Sequence, residues 1–225
     1  MSVGDALLRV LADVARAAAD AGRDPASVRL LAVSKGHGAD AIRAAFDAGQ
    51  RDFGENYLQE LEQKAAALAD LPIGWHFIGR PQGNKLRRIA ARAAWVHAVD
   101  SVDHAAALGR ARAGAPPLPV LLAVNVGGES SKGGIEPSDA LAIAERVAAA
   151  DGVTLRGLMA LPPFHDDPEA SRPHFEALAA LAAEGRARGL PLDELSMGMS
   201  HDFPVAVACG ATWVRVGTSI FGARG

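Results

Sequence analysis

Only four lysines stand beside nineteen arginines in these 225 residues. One of them, Lys35, closes the apolar run Val28-Arg-Leu-Leu-Ala-Val-Ser34, immediately before Gly36-His-Gly38. A purely electrostatic duty at that place suits arginine equally well. Lysine alone has an amine that loses its proton when desolvated and condenses with an aldehyde to give a Schiff base and water. A lysine at a strand end also serves as a solvated terminator, so the residues that would share a site with it decide the reading. Two later segments, Ser196-Met-Gly-Met-Ser200 and Val216-Gly-Thr-Ser219, crowd small and polar residues where a strand turns into a helix. Backbone N–H groups and a hydroxyl in such a turn can meet a phosphate. Ser200 and Thr218 serve equally as simple helix caps, but the pair in these two positions favours an anion.

Other arrangements carry less. The stretch Gly127-Gly-Glu-Ser-Ser-Lys-Gly-Gly134 lacks the Gly-Lys-Ser/Thr ending of a nucleotide phosphate loop and reads as a mobile connection. The seven histidines show no spacing suited to a metal, and His97, His165 and His174 read as surface or cap residues. Arg87, Arg88 and Arg92, at helical spacing, read as a solvated helix face.

The elements that must hold these groups follow from periodicity. One helix over 4–22 precedes eight short apolar or β-branched runs, at 28–34, 52–54, 75–79, 95–99, 119–126, 154–160, 194–197 and 213–217. Helical patterns at 39–48, 56–69, 84–93, 102–113, 137–150, 169–188 and 204–209 fall between them. Strand–helix alternation repeated eight times predicts an α/β fold, a single (β/α)8 TIM barrel with an extra N-terminal helix, occupying residues 1–225 as one domain. A doubly wound open sheet is the competing arrangement, but it normally carries a glycine-rich first turn, and no G-x-G-x-x-G occurs. In a barrel of this kind the site gathers at the C-terminal strand ends. Lys35, Asn56, His76, Asn125, Met159, Ser200 and Arg215 all fall at or near such ends.

Composition sets the outer bounds. A net charge of −3 with 22% charged residues gives no basic nucleic-acid surface, and no apolar run approaches a membrane span. Cys209 is the only cysteine, so no disulfide can form within the chain. With no basic, apolar leader at the N-terminus, the expected location is the cytoplasm.

Seven blocks stand in order: Leu31-Ala-Val-Ser-Lys35, Phe53-Gly-Glu-Asn-Tyr57-Leu-Gln-Glu60, Trp75-His-Phe-Ile-Gly79 with Gln82-Gly-Asn-Lys85, Asn125 with Ser131-Lys-Gly-Gly134, Gly157-Leu-Met-Ala160, Leu195-Ser-Met-Gly-Met-Ser200, and Val214-Arg-Val-Gly-Thr-Ser-Ile-Phe-Gly-Ala-Arg224. Together they resemble the pyridoxal-phosphate homeostasis proteins (the YggS/PROSC type). The resemblance runs from about residue 28 to the C-terminus. It implies the barrel half of alanine racemase and a bound pyridoxal 5′-phosphate (PLP). It also implies a role in intracellular PLP and amino-acid balance without a defined catalytic reaction. Carried onto this sequence, it makes Lys35 the Schiff-base residue. Ser200, Gly217 and Thr218 become the phosphate cradle, Arg215 the partner of the pyridine nitrogen, and Asn56, His76 and Met199 wall residues. Two positions depart from the family's usual pattern: His201 stands where Asp is usual, and Pro81 where an aliphatic residue is frequent.

One consequence follows from side-chain chemistry. A guanidinium only donates, so a pyridine nitrogen facing Arg215 must accept and stay unprotonated. That weakens the ring as an electron sink, the property most PLP enzymes use. Racemases of this barrel type also need a second base on the opposite face of the cofactor, and Tyr57, the only tyrosine, is not suggested for that role by its motif. The expected function is therefore a PLP carrier or buffer whose recipients are PLP-dependent apoenzymes. The alternative is a PLP-dependent racemase or transaminase.

Overall fold

A computed structural model describes residues 2–128 and 133–223. Chain entry is fixed by α1 (Val3–Asp20), opened by a reciprocal cap in which Ser2 and Asp5 satisfy each other's backbone N–H groups. Its apolar face, from Leu7 to Ala18, is buried. Eight strands follow, each leading into a helix. They are β1 (Arg29–Val33), α2 (Ala39–Asp47), β2 (Asp52–Glu55), α3 (Leu58–Ala67), β3 (Gly74–Phe77), α4 (Leu86–Arg92), β4 (Trp95–Val99) and α5 (Val102–Ala111). The second half comprises β5 (Leu118–Ala123), α6 (Pro137–Ala148), β6 (Val153–Met159), α7 (Arg172–Ala187), β7 (Glu194–Met199), α8 (Phe203–Ala208), β8 (Trp213–Val216) and the short α9 (Thr218–Phe221). All neighbouring strands pair in parallel, and β8 closes on β1 with Leu31 opposite Arg215. The result is a (β/α)8 TIM barrel with an N-terminal helix.

Strand alternation sorts the side chains into two populations. Leu30, Ala32, Phe53, Trp75, Phe77, Val214 and Val216 belong to the large core between sheet and helices, while Leu31, Val33, Ile78 and Trp213 form a separate cluster inside the barrel. A second inner cluster joins Ala98, Leu121 and Met159.

Boundaries moved where local conformation overrides helical pattern. The helix expected over 56–69 begins only at Leu58, because Tyr57 is extended (φ −119°, ψ 130°). Asn56 is thereby left on the turn at the barrel mouth. Residues 168–171 and 83–85 form 3-10 turns ahead of α7 and α4. Pro173, near the start of α7, suits a first helical turn. The four-residue α9 falls in a segment for which no helical pattern was expected. Arg87, Arg88 and Arg92 are exposed on α4, as read, and Arg88 pairs with Glu62.

Candidate active-site cavity

A cavity of about 330 Å³ opens at the C-terminal ends of the strands, within the size range of small-molecule sites. Seven of the eight residues singled out from the sequence line it: Lys35, Asn56, Met199, Ser200, Arg215, Gly217 and Thr218. Val33, Ile78, Leu161 and Phe164 supply apolar wall, and His37 and His201 are also on the lining.

Lys35 is half-buried and lies just past β1, with Ser34 between it and the strand end. The residues on either side of it are held from outside the sheet. Lys64 of α3 donates to the Ser34 carbonyl (2.8 Å), to Glu55 Oε1 (2.7 Å) and to Glu60 Oε2 (2.7 Å). Ser34 Oγ donates to the same Glu55 oxygen at 2.6 Å, and the Gly36 N–H donates to Glu60 Oε2 at 2.7 Å. Burial pushes the Glu55 carboxyl above its ordinary pKa, against the pull of Lys64 and Ser34. Burial would also raise Glu60, but the Gly36 N–H and Lys64 outweigh it and hold that carboxyl low. Sequence reading missed this bracket. Its only visible sign was the i,i+4 spacing of Glu60 and Lys64.

Across the cavity, the turn after β7 meets the turn after β8. The Gly217 N–H donates to Ser200 Oγ at 3.4 Å. A Cβ on Gly217 would lie 2.8 Å from the Val33 carbonyl oxygen, so only glycine lets these strand ends approach. Gly198 adopts φ +88°, and its place beside Phe203 and Ala206 leaves no room for a side chain. Asp202, buried and also missed from sequence, pins the β7 turn: it accepts from the Met199 N–H at 2.7 Å and from Ser171 Oγ at 3.1 Å. His201 points outward, its Nε2 on the Asp166 carbonyl (2.9 Å) and its ring against Phe164. The usual aspartate is thus absent one residue ahead of a structural one.

Arg215 forms part of the floor. It is 4% exposed and donates to Ser196 Oγ and to the Ala160 carbonyl, each at 2.8 Å. Burial lowers its pKa to about 10, with Asp202 acting in the opposite sense, so it remains a cation at neutral pH. Asn56 Oδ1 is buried with no hydrogen-bond partner among the described residues. A buried acceptor of that kind on a cavity wall awaits a donor from a ligand.

His76 does not line this cavity. It is fully buried inside the barrel, its ring parallel to Trp95, with Nδ1 2.9 Å from His97 Nε2 and Nε2 3.1 Å from Asp52 Oδ1. The reason is register: His76 lies inside β3, two positions before Ile78, which takes the place on the rim. His97, read as a surface or cap residue, is likewise fully buried; alternation with Trp95 in β4 was the signal that placed it inward. Asn125 and Met159 border a smaller cavity of about 80 Å³, which shares Ile78 and Leu161 with the larger one. Tyr57 is 58% exposed and is not on the lining of the larger cavity. Lys132, Ser131 and Arg224, which belong to the resemblance, lie outside the described residues. No helix among those residues is long and apolar enough to cross a membrane.

The alanine racemase N-terminal domain family model matches residues 9–225. The pyridoxal phosphate homeostasis protein of Pseudomonas aeruginosa is 51% identical over 230 residues, covering 99% of this chain and 96% of that protein. The chain belongs to the pyridoxal phosphate homeostasis protein family. The Escherichia coli K12 member is 41% identical, with 97% and 95% of the two chains covered. Among solved structures, PipY of Synechococcus elongatus with PLP bound superposes with a TM-score of 0.82 at 41% identity, over 93% of this chain and all of that one. The family frame accounts for the barrel.

Proposed function

We propose that the protein is a cytoplasmic, non-catalytic carrier and buffer of pyridoxal 5′-phosphate, a single barrel domain that takes part in PLP and amino-acid homeostasis. The observation that carries this reading is the convergence on one cavity of an amine (Lys35), a hydroxyl-and-amide cluster (Ser200, Gly217, Thr218) and a buried guanidinium (Arg215). These match the three ends of the cofactor: an aldehyde, a phosphate and a ring nitrogen. When bound, PLP supplies a reactive carbonyl. Lys35 would hold it as a Schiff base with loss of water, Ser200 and Thr218 would donate to the phosphate, and Arg215 would donate to the ring nitrogen and keep it unprotonated. The lone Asn56 acceptor and Met199 would complete the wall. A reversible link suits a carrier, because an incoming amine displaces Lys35 without breaking any carbon–carbon or carbon–hydrogen bond. PLP-dependent apoenzymes are the proposed recipients.

Borohydride reduction of the PLP-loaded protein, then peptide mapping, tests the assignment. The label is expected on Lys35, and Lys35→Ala is expected to lose the yellow chromophore; label chiefly on Lys64 or Lys85 would sink the reading. Replacing Ser200 and Thr218 together by alanine should weaken PLP binding far more than pyridoxal binding, by about 1.5 to 3 kcal/mol for each charge-assisted hydrogen bond removed. Equal weakening would move the phosphate elsewhere. His37 and His201, both on the lining, are the groups on which a racemase or transaminase reading would rest. A turnover screen over amino acids, paired with apoenzyme reactivation, separates the two: multiple turnover that vanishes in Lys35→Ala would make the protein an enzyme.

A further inference from the structure

Below Arg215 a line of buried polar groups runs through the barrel. Arg215 Nη1 donates to Ser196 Oγ (2.8 Å), Ser196 Oγ lies 2.9 Å from His97 Nδ1, His97 Nε2 lies 2.9 Å from His76 Nδ1, and His76 Nε2 lies 3.1 Å from Asp52 Oδ1. Ser196, His97 and His76 are all at 0% exposure. The carboxylate of Asp52, at the start of β2, is 37% exposed.

Chemistry at the two ends orders the protons between them. A guanidinium can only donate and a carboxylate can only accept. Ser196 Oγ, having accepted from Arg215, has its own proton to give to His97 Nδ1. His97 then carries its proton on Nε2 and gives it to His76 Nδ1, and His76 carries its proton on Nε2 and gives it to Asp52. The reverse order would set an unprotonated His76 nitrogen against the carboxylate. Both rings are neutral in this arrangement, consistent with burial, which depresses both histidines, His97 strongly. The charged groups that face them are Asp52 from β2, Arg29 from β1 and Arg215 from β8; the two cations oppose protonation. Trp95 and Trp213 complete the surround. Gly74 leaves room for the terminus, since a Cβ there would lie 2.5 Å from Asp52 Oδ1.

We infer that Ser196, His97, His76 and Asp52 form one proton-ordered chain of positioning residues. It fixes the Arg215 guanidinium from beneath, and with every proton directed away from the cavity it offers the cofactor's ring nitrogen no proton from the barrel interior. This rests on the placement of that nitrogen against Arg215 proposed above. It adds a reason, built into the fold, why the site holds PLP in a poorly activated form.

Long-range proton–nitrogen NMR on the cofactor-free protein tests the ordering without relying on PLP. Both histidines are expected neutral, with the proton on Nε2; a proton on Nδ1 of either ring, or a doubly protonated His97, would overturn the chain. In the PLP-loaded protein, Ser196→Ala is expected to weaken PLP and pyridoxal alike, by roughly tenfold, since it removes a hydrogen bond to a charged group. It is also expected to move the absorption maximum of the bound cofactor, and Ser196→Thr to restore both. Should Ser196→Ala fold poorly, Gly74→Ala displaces the Asp52 carboxylate from the far end and should shift the His76 nitrogen signals and the cofactor absorption together. Unchanged affinity and absorption in either folded variant would refute the positioning role. A wild-type protein that never turns yellow with PLP would instead refute the cofactor reading and leave the NMR result standing.

Discussion

Two polar networks of opposite character lie on the two faces of the sheet. On the outer face of the sheet, Glu55, Lys64 and Glu60 form an ionic bracket around Ser34 and Gly36, the two neighbours of Lys35. On the inner face, a neutral hydrogen-bonded line through Ser196, His97 and His76 supports Arg215. Buried ions are poor sources of stability, because desolvation consumes most of their attraction. They are good at fixing a backbone: the Lys64 ammonium directs its three donors to the Ser34 carbonyl, Glu55 and Glu60, while Glu55 takes both its bonds on Oε1 and leaves Oε2 without a partner among the described residues. The bracket grips the main chain on both sides of Lys35 without touching the cavity. Inside the barrel the formal charges stand at the two ends of the line, Arg215 on the cavity floor and Asp52 at the far side, and the neutral rings between them fix hydrogen-bond direction. The contrast separates fixing the backbone on either side of Lys35 from holding the Arg215 guanidinium.

The comparison breaks most visibly at Lys64. Its side chain is 8% exposed and that of Glu55 is at 0%, so Lys64→Met strands a buried carboxylate. Removal of one partner from such a pair destabilises by about 3 to 5 kcal/mol, to be read as a lowered urea midpoint with unchanged slope. The companion change Glu55→Gln in the Lys64→Met background should recover part of the loss. Additive losses in the double variant would mean the bracket is not a coupled unit.

Acid should act on the inner histidines and on Glu55 of the outer bracket with opposite signs. The folded-state pKa values of His76 and His97 lie below the ordinary 6.5, so the unfolded chain takes up those protons first. Their contribution is present above about pH 6.5 and fades as the pH falls below it, by up to about 1.4 kcal/mol per pH unit for each ring. Glu55 is raised by burial, so its contribution is full below its unfolded value of 4.5 and is lost as pH rises through the folded one. Between pH 6.5 and 5 the net result is a loss of about 1 to 3 kcal/mol. Glu55→Gln removes the opposing term and should steepen the decline. Flat stability across this window, measured by urea unfolding at half-unit steps, would contradict the neutral inner line.

What the sequence disclosed follows the same division of faces. The barrel and the end-of-strand positions of Lys35, Ser200 and Arg215 were legible because strand patterns and strand-end chemistry are local properties. Asn56 was found by motif, though its helix was begun two residues early. His76 was attributed to the cavity wall because it belongs to a motif, yet its depth depends on how far β3 extends before the rim, which only pairing with β2 and β4 fixes. His97 and Ser196 acquire meaning only across the barrel, from partners 21 and 99 residues away. Lys64 resembled any helix lysine until α3 laid it against β1 and β2. Long-range polar closure is the part of the site that periodicity does not encode.

The smallest effect should come from the exposed end of the inner line. Asp52→Asn removes a charge but keeps an Oδ1 that accepts from His76 Nε2–H, and the position is more than a third open to water. The cost should therefore be about 0.5 to 1.5 kcal/mol, the range of an ordinary hydrogen bond, with both histidines still protonated on Nε2. The matched change in the outer bracket, Glu55→Gln, should cost more, because there the charge itself offsets a buried ammonium. If Asp52→Asn proved as damaging as Glu55→Gln, or if it reversed the tautomers, the inner line would depend on charge as the bracket does, and the distinction between the two faces would fail. Nitrogen chemical shifts and urea midpoints on these two variants are sufficient to decide it.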